Sequence, residues 1–246
     1  MNDPRGPLPD LETAAGATVG APLPHDSAAL HASGEAAYTD DLAEPRGTLY
    51  AALGVSPVAH GRLRAVHLDD VRAAPGVVDV IVAADIPGVN DVGPILRDDP
   101  ILADGGVQFA GQPVFAVAAT SVEAARRAAR LGRLDIEPLH PILTIEEAMA
   151  TASFVLPPVH VARGDAAAAL ARAPRRLSGT VRSGGQDHFY LEGQVALAIP
   201  REDGAMHVHC STQHPGEVQH MVARALGMRD HDVVVECRRM GGGFGG

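Results

Sequence analysis

The chain has 246 residues, with 20 Lys and Arg against 30 Asp and Glu, a formal net charge of -10. That balance, and the lack of any Lys/Arg run that could form a basic patch, argue against nucleic acid as a partner. Hydrophobic residues make up 46% of the chain and no stretch approaches the roughly 18 uninterrupted apolar residues of a membrane span, so a globular chain with no membrane partner is expected.

Residues 1–22, rich in Pro, Gly, Ala and acidic side chains, read as a flexible lead-in. Thr48–Val55 is an apolar run, and Arg62–Leu68 alternates, with Leu63, Ala65 and His67 on one face. Asp69–Ala74 predicts a short helix, ended by Pro75-Gly76. Val77–Val82 reads as a largely buried strand and Pro113–Ala119 as another. The next helix has Thr120 as its cap, Glu123 in a capping-box position, a small face of Val122, Ala125, Ala129 and Leu131, and Gly132 past its end. Leu134–Glu137 returns as a strand. The alternation argues for an α/β or α+β domain, and with no Trp and 3% aromatics its core should be Ala, Val, Leu and Ile.

A Pro-containing lapse at Phe154–Pro158 marks the expected domain boundary, giving segments 1–22, 23–152 and 153–246. Beyond it the pattern predicts a helix at Asp165–Arg172 and strands at Leu177–Arg182, Gln194–Pro200 and Ala205–Ser211. A helix at Pro215–Leu226 follows, with a stripe of Val218, Met221, Val222 and Ala225, then a strand at Asp232–Arg238. Met1–Gly6 shows no basic segment followed by an apolar core, so a cytoplasmic protein is expected. Cys210 and Cys237 are then expected as buried reduced thiols, a disulfide being the alternative.

Four features bear on chemistry. The run Gly241-Gly242-Gly243-Phe244-Gly245-Gly246 leaves a backbone whose N–H groups can approach a ligand closely, the alternative being a flexible tail. The polar stretch Gly184–Gly193 reads as an ordered loop holding a hydrogen-bond network. His207 and His209 share one strand face, so two zinc ligands are conceivable. No tight pair completes a four-ligand set with His214 or His220, and solvent-facing or hydrogen-bonded histidines are preferred. Gln213, between a strand end and a helix start, either offers its amide to an anion or makes a helix-entry hydrogen bond.

At these residues the chain resembles a known family. Gly185-Gln186-Asp187-His188-Phe189-Tyr190-Leu191-Glu192, Ser211-Thr212-Gln213 and Arg239–Gly246 are similar to consecutive signatures of the molybdenum hydroxylases, most closely the cofactor-binding subunit of the purine-hydroxylating members. Pro22–Ser27, Gly34–Leu42 and Phe109-Ala110-Gly111-Gln112-Pro113 share the resemblance. It implies an α+β fold: an α/β hammerhead domain, then the start of the molybdenum-cofactor-binding α/β domain. It implies a molybdenum–molybdopterin cofactor bound by Gln213, Gly243 and Phe244, with Gln213 and Phe244 beside the metal. Gln213 would offer its amide to the metal's oxygen ligand, and the backbone at Gly243 and Phe244 would cradle the dithiolene end. It further implies a purine substrate and a hetero-oligomeric partner subunit carrying 2Fe-2S clusters and FAD, which pass electrons to NAD. The glycine loop breaks off at Gly246, before the family's substrate-binding and general-base residues, so the sequence reads as an N-terminal fragment, inactive alone, with no catalytic residue in it. The alternatives are a molybdenum hydroxylase of aldehydes or N-heterocycles, and a non-enzymatic anion-binding α/β module.

Overall fold

The computed structural model describes residues 22–245; the expected flexible lead-in lies, but for Pro22, outside them. The helices are α1 (Ala28–Ser33), α2 (Asp69–Arg72), α3 (Val122–Ala129), α4 (Ile145–Ala150), α5 (Ala166–Arg172) and α6 (Pro215–Leu226). The strands are β1 (Tyr50–Val55), β2 (Gly61–His67), β3 (Val77–Val82), β4 (Pro113–Ala119), β5 (Arg133–Pro138), β6 (Ala196–Pro200), β7 (Met206–Cys210) and β8 (Val233–Glu236). They group into two compact units. One comprises residues 46–189 with 224–227; the other, among the described residues, takes 22–45 together with 190–223 and 228–245.

In the first unit β4 lies between β1 and β3, both antiparallel to it, while β2 and β5 form a separate antiparallel pair. The central position of β4 explains its burial: Val114, Phe115, Val117 and Ala119 are all buried. β3 is an edge strand and not the largely buried strand its β-branched run suggested. Only Val80 is fully inside, with Val78 56% and Ile81 40% exposed.

Helix α3 packs on this sheet through Ala124, Ala125 and Ala128, whose small side chains let the backbones approach. Its expected face shifts accordingly, and Leu131 is exposed. The cap is Ser121 and not Thr120: the Ser121 hydroxyl accepts from Ala124 N–H at 3.1 Å. The core is aliphatic except at its centre, where Phe115 is the largest fully buried side chain. Its ring fits because Gly54 and Gly132 carry no Cβ; one added there would sit 1.9 Å from Phe115 Cε1 or 2.3 Å from Cζ. Gly132, expected as a helix stop, serves this close approach. Ser56 and Gln112, also buried, are satisfied: the Ser56 hydroxyl donates to Val58 O at 2.9 Å, and Gln112 Oε1 accepts from Gln108 N–H at 2.7 Å.

The strand expected at Leu177–Arg182 does not form. Leu177 and Val181 stand exposed, and among the described residues no strand pairs with this segment to satisfy its backbone. In the second unit β6 pairs antiparallel with β7, and β7 parallel with β8. The β7–α6–β8 crossover makes the one parallel pair among the described residues, so the fold is α+β as expected.

Candidate cofactor-binding site

The site lies at the C-terminal ends of β7 and β8. After β7 the sequence Ser-Thr-Gln-His-Pro makes a tight entry into α6. Val195 N–H donates to the Ser211 hydroxyl and Ser211 N–H to Val195 O, both at 3.0 Å, which ties the turn to the neighbouring chain. His214 N–H donates to Thr212 Oγ1 at 3.0 Å, and the His214 ring accepts from Glu217 N–H at 3.1 Å. Pro215 opens the helix where no N–H is needed. His214 and Thr212 therefore make the helix-entry bonds, and Gln213 does not. Its Oε1 instead accepts from Gly245 N–H at 2.8 Å. Among the described residues its Nε2 has no hydrogen-bond acceptor.

The glycine loop packs closely on its neighbours because three successive residues lack side chains. A Cβ on Gly241 would meet Glu192 Cβ at 2.5 Å, one on Gly242 Tyr190 Cβ at 2.6 Å, and one on Gly243 Gln213 Oε1 at 2.5 Å. The bare backbone is thus used first for contact with the protein's own side chains, an outcome that spacing alone did not show. Glu192 Oε2 accepts from Gly241 N–H at 2.6 Å and fixes the start of the loop. The reading of Gly184–Gly193 as a hydrogen-bonding stretch missed that Glu192 closes this loop 49 residues away. Phe244 has φ 60° and is exposed.

Tyr190, Glu192, Cys210, Gln213, Gly242 and Gly243 line a cavity of about 300 Å³. The structure thus brings Gln213 and Gly243 together, with Phe244 next in the chain. Cys210 and Cys237 are both free thiols, half-buried and not, as expected, fully buried. Burial pushes the Cys210 thiol up, helped by Cys237 and Glu192, so Cys210 stays protonated at neutral pH. The donor set fits an anionic, amide-bearing cofactor. Among the described residues the N–H groups of Gly243 and Phe244 have no acceptor, and Gln213 Nε2 is free to donate. Glu192 Oε1, buried without a partner, would accept a donor from such a group.

Of the other histidines, His220 pairs with Asp230 at 2.9 Å and His214 is spent on the helix entry. The His207 and His209 rings lie tilted by 36° with centroids 4.3 Å apart, and Glu236 of β8 stands against them. The Arg238 guanidinium, hydrogen-bonded to Glu236, holds that carboxyl below its usual range. In the N-terminal signature, Ala37 O accepts from Arg239 at 2.6 Å, which joins that segment to the strand leading into the glycine loop.

The fold and this loop define a hammerhead domain followed by a cofactor-binding domain. Residues 33–140 match the family described as "Aldehyde oxidase and xanthine dehydrogenase, a/b hammerhead domain", and residues 147–246 the "Molybdopterin cofactor-binding domain". The chain belongs to the molybdenum hydroxylases. It is 40% identical over 230 residues to xanthine dehydrogenase/oxidase of Gallus gallus, and 39% over 231 residues to xanthine dehydrogenase of Drosophila subobscura. Each alignment covers 93% of this chain and 17% of the relative, so the chain spans about a sixth of the length of the curated relatives it matches. Among solved structures, aldehyde oxidoreductase of Desulfovibrio gigas superposes with TM-score 0.79 at 27% identity, over 90% of this chain and 27% of that one. Quinoline 2-oxidoreductase of Pseudomonas putida 86 does so with TM-score 0.77 at 26% identity, over 89% and 30%. Among the described residues no helix is long and apolar enough to cross a membrane.

Proposed function

We propose that the chain is part of the molybdenum-binding subunit of a cytoplasmic xanthine dehydrogenase, divided into domains near residue 152. The whole enzyme would hydroxylate hypoxanthine and xanthine to urate in purine catabolism and pass electrons through the 2Fe-2S clusters and FAD of a partner subunit to NAD. The observation that carries this reading is Gln213 seated on Gly243 with its Oε1 held by Gly245 N–H, in a chain 40% identical to a xanthine dehydrogenase/oxidase. When bound, the molybdenum–molybdopterin group supplies two-electron oxidation of a substrate carbon with oxygen derived from water.

The chain's own residues bind and polarise. Because Oε1 is taken by the loop, the Gln213 amide is turned with its N–H₂ left to donate to negative charge in the cavity. Gly243 and Phe244 offer backbone N–H groups, and Glu192 accepts a donor while holding the loop. Among the described residues Glu192 is the one carboxylate lining the cavity, and Gly241 N–H occupies its Oε2. The 246-residue chain alone should show no xanthine turnover, and measurable urate formation by it would overturn that expectation.

The direct test is Gln213→Ala and Gln213→Glu in the intact enzyme, with turnover normalised to molybdenum and Tm measured beside it. Losing one donor to developing charge costs roughly 10²–10³ in rate. The Glu variant is worse, because it sets a carboxylate where a donor stood. Normal turnover per molybdenum with a lowered Tm would retire the role. Xanthine, benzaldehyde and quinoline as parallel substrates separate the purine reading from the aldehyde and N-heterocycle ones.

A further inference from the structure

We propose that His207, His209 and Glu236 form a site for a divalent transition metal, Zn²⁺ by its ligand set, separate from the molybdenum cofactor. In β7 the two histidines are two residues apart and share one strand face. The parallel partner β8 sets Glu236 in register with His209. Glu236 Oε2 lies 3.3 Å from His207 Nε2 and 3.8 Å from His209 Nδ1, and the three ligand atoms all fall within 4.8 Å of one another. Ligand atoms around a tetrahedral Zn²⁺, at about 2.0–2.1 Å from the ion, stand roughly 3.3 Å apart. One edge of the triangle already has that length, and the rest closes by small rotations of side chains.

The surroundings suit an ion. The side chains of His207, His209 and Glu236 are 19%, 17% and 29% exposed, sheltered yet reachable. His209 and Glu236 also line a cavity of about 350 Å³ with Tyr38 and Arg239, which gives an entry path and room for a water as fourth ligand. Arg238 holds the other Glu236 oxygen and so aims Oε2 at the rings, as an outer-shell partner does. His207 Nε2 is buried without a hydrogen-bond partner among the described residues, although a carboxylate stands beside it. One contact opposes the ion: exposed Arg201 lies 3.2 Å from His207 Nδ1. When Nε2 binds a metal, Nδ1 takes the proton and Arg201 must let go.

The test uses the 246-residue chain, purified free of chelator and of molybdenum. Calorimetric titration with Zn²⁺ should show one equivalent bound in the micromolar range or tighter, and Tm should rise by several degrees with excess Zn²⁺. Co²⁺ should give the intense visible bands of a four-coordinate site, a readout that needs no variant. His207→Gln, His209→Gln and Glu236→Gln should each weaken Zn²⁺ at least tenfold, with circular dichroism confirming the fold. Arg201→Ala should tighten it, and His220→Ala should leave it unchanged. The absence of stoichiometric binding, a weak octahedral Co²⁺ spectrum, or wild-type affinity in the three ligand variants would each overturn the site.

Discussion

At the scale of single residues, Gln213 and the glycines decide most. A Gln between a strand and a helix has two uses, and the sequence does not choose between them. The structure shows the helix entry already made by Thr212 and His214, so the Gln213 amide goes to the loop. This gives a prediction for Gly243→Ala. Its Cβ would stand 2.5 Å from Gln213 Oε1, and because Gln213 is a flexible side chain it yields and loses its bond to Gly245. Stability should change little, while turnover per molybdenum in the intact enzyme falls as in Gln213→Ala, and the double variant is no worse than either single one. Additive losses in that cycle would separate the two residues. Gly54→Ala and Gly132→Ala differ in kind, since each meets Phe115, a rigid ring that is 1% exposed. Overpacking of that sort costs about 1–3 kcal/mol, so urea unfolding of either variant should show a clear drop in midpoint. Unchanged midpoints would mean that the ring has room to move.

At the scale of elements, period and composition located the eight strands and four of the six helices among the described residues, missing the short α1 and α4, and the other misses have physical causes. Thr120 and Ser121 are both good caps one residue apart, and only the backbone conformation picks Ser121, extended at φ -154° and ψ 158°. Ser121→Ala should therefore destabilise by about 1 kcal/mol in thermal melts, with Thr120→Ala the smaller change. The opposite order would restore the sequence-based cap. β3 has the composition of a buried strand yet lies at a sheet edge, because neighbours and not β-propensity set burial. Leu177–Arg182 has strand composition and no partner, and a strand without a ladder leaves its backbone to water.

For the whole molecule, the net charge of -10 leaves many carboxylates, and several are held below their usual range by a hydrogen-bonding Arg or His side chain. Arg64 hydrogen-bonds Glu137, His140 does so to Glu147, Arg229 to Asp232 and Arg238 to Glu236. Each folded-state value lies below the unfolded one. Their stabilisation is thus present above the ordinary carboxylate value of about 4 and is lost as pH falls through the lower folded values. The urea midpoint should fall between pH 6 and pH 3 at low salt, and less so in high salt, which screens exposed pairs. A midpoint independent of pH over that range would show that these pairs add nothing to folding.

The sequence by itself determined the alternation of elements, the α+β class, and the family through its motifs at Gly185–Glu192, Ser211–Gln213 and Arg239–Gly246. These are local signals, written in side-chain period, turn chemistry and runs of specific residues. Only the tertiary structure decided which distant groups meet. It placed Glu192 on Gly241, Gln213 on Gly243, Arg239 on Ala37, and Glu236 against His207 and His209. Such meetings depend on strand register and on where bare glycine backbone lets chains approach. A parallel pairing shifted by one residue would turn Glu236 to the opposite face of the sheet from the two histidines, with no change in the sequence pattern of either strand.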